Sequence, residues 1–78
     1  MRYEMTTPGG VVFYYHITNK GSNKKHIVTF SYGSVKDGKD VEMNSEHWYI
    51  EDFNQSKKEV AALETYCAER DFKKITKK

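Results

Sequence analysis

The chain is poor in the features that announce a chemistry. It has one cysteine in 78 residues, so Cys67 cannot belong to an internal disulfide framework, and nothing asks for an oxidising compartment. No apolar run approaches the ~20 residues of a membrane span, and residues 1–15 lack a charged start followed by an apolar block. A cytoplasmic protein with no membrane partner is the expectation. The net charge of +2 is too small to announce a nucleic-acid partner by itself. Neither a G-x-x-x-x-G-K-[ST] phosphate loop nor a G-x-G-x-x-G fingerprint occurs. His16, His26 and His47 have no cysteine or carboxylate pair beside them to complete a tetrahedral set, so no metal and no cofactor are expected. The carboxylates crowd into residues 37–52 without a spacing that defines an acid/base pair around a pocket. Cys67 falls on an apolar stripe, where a thiol is a small buried hydrophobe and not a nucleophile. A domain this small buries only about 60–65% of its unfolded surface, which leaves little stability for a deep cleft. An enzyme is not expected.

What the chain does have is a switch of hydrophobic period near Phe53. Before it, apolar residues alternate with polar ones: Val11, Phe13, Tyr15 and Ile17, then Val28, Phe30 and Tyr32. After it, Val60, Leu63, Tyr66 and Cys67 recur at helical spacing. Period two followed by period 3.6 predicts an α+β fold, a four-stranded antiparallel meander with one C-terminal helix packed on one face. Residues 1–72 form the single domain in this reading, and 73–78 a flexible basic tail.

Register follows from the demand that apolar residues share a face. Placing Ile17 opposite His26 sets Tyr15 against Val28, Phe13 against Phe30 and Val11 against Tyr32, with Asn19-Lys20-Gly21-Ser22-Asn23 as the turn. Pro8-Gly9-Gly10 serves as a three-residue loop that sets Met5 opposite Phe13 and Tyr3 opposite Tyr15. Asp37-Gly38 is the strongest two-residue hairpin signal. Val41 and Met43 share one parity while Trp48 and Ile50 share the other; a bulge at Asn44-Ser45-Glu46 would return all four to the core, with a short extra hairpin as the alternative. Ser56 and Glu59 read as a capping box, with the helix ending at 69–72.

Two surfaces stand out. Tyr14, His16, Ile27 and Thr29 have the parity opposite to the core, so they are expected on the uncovered sheet face, exposed and available to a partner. Glu46, Glu51 and Asp52 belong to the acidic segment 37–52, whose charge suits a basic protein. Against them stand Lys20, Lys24, Lys25, Lys57 and Lys58, with the last two flanking the expected helix start, a position that attracts phosphate.

The segment Phe53-Asn54-Gln55-Ser56-Lys57-Lys58-Glu59-Val60-Ala61-Ala62 resembles the entry to the last helix in two strand-strand-strand-helix families. These are the arm-binding domain of tyrosine recombinases and the double-stranded-RNA-binding domain. The resemblance implies phosphate contact by Lys57 and Lys58. The chain departs from the RNA-binding family where Tyr3-Glu4-Met5 shows a strand pattern in place of an N-terminal helix. A small chain rich in Tyr, Asn and Lys without a catalytic signature is also similar in type to bacteriophage accessory proteins, among them anti-restriction and anti-CRISPR inhibitors. That resemblance implies a non-enzymatic inhibitor of a host protein or nucleoprotein complex, acting in the host cytoplasm. A nucleic-acid-binding module is the alternative, and a homodimer is a further open state.

Overall fold

A computed structural model describes residues 1–22 and 25–76. The chain forms β1 (Arg2–Thr6), β2 (Val12–Ser22), β3 (Lys25–Lys36), β4 (Lys39–Ile50), α1 (Phe53–Glu69) and β5 (Lys73–Ile75). The first four strands make an antiparallel meander, and α1 covers one face of it, giving an α+β fold. Neighbours run β4-β3-β2-β1-β5, so β5 adds a fifth strand beside β1. Residues 73–75 therefore belong to the domain and are not part of a tail: Glu4 pairs with Lys73 and Arg2 with Ile75. Lys77 and Lys78, the end of the expected tail, lie outside the described residues. Among the described residues, no helix is long and apolar enough to cross a membrane.

The turns explain the strand order. Asp37 and Gly38 both take positive φ, 52° and 76°, the pair of angles a type I′ hairpin needs. Thr7 N–H donates to the Val11 carbonyl at 2.8 Å and closes the Pro8-Gly9-Gly10 loop, which delivers Met5 opposite Phe13 and Tyr3 opposite Tyr15. The β2–β3 register differs from the expected one by four residues. Ile17 lies opposite Phe30, Tyr15 opposite Tyr32 and Phe13 opposite Ser34. The strands run on through the expected loop to Ser22↔Lys25, adding ladder pairs in place of loop. A slip of four preserves parity, so the core face is still the one the alternation marks.

Tyr15 is the centre of that face. Its ring stacks on Phe30 at 4.8 Å, meets Tyr66 of the helix edge-on at 5.8 Å, and lies 4.7 Å from Phe72. Ile17, Val28 and Cys67 are completely buried around it, with Val60 nearly so. Burial pushes the Cys67 thiol up to about 11, the condition of an inert cysteine. The β4 irregularity falls at Met43, slightly earlier than expected, since Tyr32 pairs with Asn44 while Gly33 pairs with Glu42. It returns Trp48 and Ile50 to the core; Val41 and Met43 stay exposed.

The helix starts a turn before its expected cap. Asp52 is the N-cap, its carboxylate accepting from Asn54 N–H at 2.9 Å. Ser56 is instead fully buried inside the first turn, donating to the Phe53 carbonyl and accepting from Asn19 Nδ2 of β2. The far end is a Schellman closure. Phe72 N–H returns to the Cys67 carbonyl and Asp71 N–H to Ala68, with Asp71 at φ 65°. That turn drops Phe72 into the core and aims the chain back along β1.

Candidate functional site

The sheet face away from α1 is the candidate surface. Cross-strand pairing arranges it in rows: Glu4, Tyr14, Gly33 and Glu42; then Arg2, His16, Ser31 and Ser45; then Thr18, Thr29 and His47; then Lys20, Ile27 and Tyr49. The structure thus brings Tyr14, His16, Ile27 and Thr29 onto one face, as their parity demands.

Their exposure differs from expectation. Tyr14 is only 4% exposed, because its ring lies flat over Gly33 and the Arg2 guanidinium covers it, 4.5 Å from the ring centre. Arg2 reaches from β1 to β4, where its terminal nitrogens grip both Asp40 oxygens at 2.7 and 2.9 Å, while its Nε donates to Glu4 at 2.6 Å. The hydrogen bond to Asp40, helped by Glu4 and opposed by burial, raises the already high Arg2 pKa. Burial raises the Tyr14 pKa, with the Asp40 and Glu42 carboxylates adding and Arg2 opposing. Ile27 and Thr29 are half-buried, and His16 alone of the four is exposed. Partial desolvation on the sheet, then the amino terminus and Arg2, lower the His16 pKa against the pull of Asp40.

This end of the face is concave. Arg2, Tyr14, His16, Asp40 and Glu42 help to line a hollow of about 500 Å³. Its main polar groups satisfy one another: Arg2 with Asp40 and Glu4, and Ser31 Oγ with Ser45 Oγ at 3.1 Å. The opposite end is more aromatic. Tyr49 is 60% exposed, with the Lys25 ammonium 5.0 Å above its ring and His47 edge-on beside it.

The acidic candidates do not join this face. Glu46 stands opposite Phe30, on the helix side of the sheet, and is exposed beyond the helix. Glu51 and Asp52 lie in the β4–α1 connection, where Asp52 is occupied as the cap. Of the acidic segment, Asp40 and Glu42 are on the open face, where Glu4 of β1 joins them. The lysines divide likewise. Lys20 and Lys25 belong to the open face, whereas Lys57 and Lys58 ride the second turn of α1, beyond its free N–H groups, with Lys57 over the Phe53 ring at 4.8 Å. Lys24 lies outside the described residues.

Arg2, Asp40, Glu42, His47 and Tyr49 are the residues that reading the sequence overlooked. Parity alone could have found the last four: once Val41, Trp48 and Ile50 take the helix side of the sheet, their neighbours must point away. No protein-family model, curated protein or solved structure matches this chain.

Proposed function

We propose that this chain is a non-enzymatic binding protein, a small phage-type inhibitor that occupies a host protein or nucleoprotein complex through its open sheet face and the acidic strand beside it. The observation that carries the reading is the uncovered face itself, where Tyr49 is 60% exposed beside half-buried Ile27 at one end and His16 is exposed toward the other. An aromatic ring held on a rigid strand is the type of anchor that dominates interfaces. Glu42, on the same face, and Glu46, on the other side of β4, lend the strand a charge that steers a basic partner.

The test is affinity capture from a bacterial lysate, with and without nuclease, comparing the parent chain with a His16→Ala/Tyr49→Ala double variant. Capture at least tenfold weaker, with an unchanged melting temperature and no effect of nuclease, is the expected result. Undiminished capture by the double variant contradicts the reading.

A nucleic-acid-binding module is the second reading, favoured by the Lys25–Tyr49 pair with Lys20 in the same row. Bases stack on such aromatics while lysines track phosphates. In that case binding to single strands falls steeply with salt, and Lys20→Ala/Lys25→Ala reduces the slope by about one to two. Lys57→Ala/Lys58→Ala leaves it unchanged, because those lysines belong to the other layer.

A further inference from the structure

Resting on the reading of this chain as a binding protein, we infer that the free edge of β4 receives an extended, basic segment of a protein partner as an added strand. β4 is the outer strand of the sheet, bonded among the described residues to β3 alone, and runs for twelve residues, Lys39–Ile50. Strands of globular proteins average about five to six residues. An edge strand turns alternate N–H and C=O groups outward, a ready template for another chain.

Natural edges are guarded by bulges, prolines, lysines or brevity. The opposite edge follows that rule: β5 has three residues, two of them Lys73 and Lys74. On β4 the guards sit at one end, Lys39 as its first residue and the bulge at Met43. Residues 44–50 then run in unbroken register from Tyr32↔Asn44 to His26↔Ile50, with no proline, no lysine and one charge, Glu46.

Charge selects the guest. Glu42, Glu46 and Glu51 make no ion pair among the described residues, while Asp40 is held by Arg2. Glu42 and Glu46 project from opposite faces of β4, and Trp48 and Tyr49 do the same further along. A guest strand in which two consecutive basic residues are followed by two consecutive apolar ones turns one of each to either face, and so meets a carboxylate on either side and an aromatic on either side. A second copy of β4 brings its own carboxylates against these, so the same charges that discourage self-pairing admit a basic strand.

The test uses the intact, isotope-labelled chain and a ten-residue peptide that repeats Lys-Lys-Val-Val, which turns lysine and valine to both faces of the strand. Two control peptides accompany it, one with every backbone amide N-methylated and one with glutamate for lysine. The lysine peptide should slow amide exchange within residues 44–50, and both controls should bind at least tenfold more weakly. Glu42→Lys/Glu46→Lys should also lose at least tenfold in affinity at unchanged melting temperature; should it fail to fold, the single exposed variant Glu46→Gln carries the comparison, with a loss of at least twofold. Equal binding of the N-methylated peptide, protection centred on β5 or the open face, or no binding of the lysine peptide overturns the inference. A failed peptide with a partner still captured through His16 and Tyr49 overturns strand addition alone. A bound peptide with no dependence of capture on those residues overturns the open-face reading instead.

Discussion

The phenol ring of Tyr14 on β2 lies across Gly33, its direct neighbour on β3, in space that only a glycine leaves. A Cβ on Gly33 would stand 2.8 Å from the Tyr14 hydroxyl oxygen and would collide with the Val41 carbonyl oxygen. Arg2 closes the stack from above. A residue expected to serve a partner is thus part of the scaffold.

Two variants follow from that stack. Gly33→Ala should cost about 1–3 kcal/mol as an overpacked site. Tyr14→Ala should cost about 3 kcal/mol, as removal of a buried ring. Urea denaturation measures both, and midpoints equal to the parent's would show that the stack contributes nothing.

The position of the helix start can be read from caps. Asp52→Ala should lose about 1 kcal/mol, and Asp52→Ser should recover most of it, because serine also accepts from the backbone at an N-cap. An Asp52→Ala variant as stable as the parent would return the cap to Ser56.

Asp71 holds a left-handed conformation at the end of α1, φ 65°, where a side chain costs about 1 kcal/mol or more relative to glycine. Asp71→Gly should therefore raise stability by about 0.5–1 kcal/mol, visible as a higher melting temperature. A lower one would mean that the aspartate side chain makes a contribution of its own.

Tyr3 predicts a dependence on alkaline pH. Burial first, and then the hydrogen bond from its hydroxyl to Glu64 at 2.7 Å, push its pKa from 10.0 up to about 12. The folded state keeps its proton where the unfolded chain releases it. The resulting stability is present in full below pH 10 and is lost as the pH rises through 12. Denaturation midpoints of the parent should fall more steeply over that interval than those of Tyr3→Phe. Parallel curves would refute the assignment.

Alternation in the sequence was enough to find the buried face but not the pairing across it. Phe13, Tyr15, Ile17, Val28, Phe30 and Tyr32 face α1 under either register, because an even slip leaves parity untouched. What separates the registers is how far the strands continue past Asn19, a matter of ladder bonds that hydropathy does not record. Asp52 and Ser56 are both competent caps. The choice between them is made by Asn19, which bonds Ser56 from another strand. Lys73, Lys74 and Ile75 carry no strand pattern and become one only because β1 offers an edge. On the candidate surface, His16, Ile27 and Thr29 were legible by parity. The burial of Tyr14 was not, since the group that covers it arrives from β1 and is anchored on β4.

The pairing of Arg2 with Ile75 sets Met1 and Thr76 near one another at one edge of the sheet. In a chain cut to residues 1–76, a short linker between them should close a ring without disturbing the ladder between β1 and β5. New ends can then be cut between Asp37 and Gly38, in the exposed turn. Such a permuted chain would begin with β4 and end with β3. The hairpin that now forms from neighbours in sequence would become the longest-range contact in the molecule, and its refolding should slow accordingly while the sheet it builds stays the same.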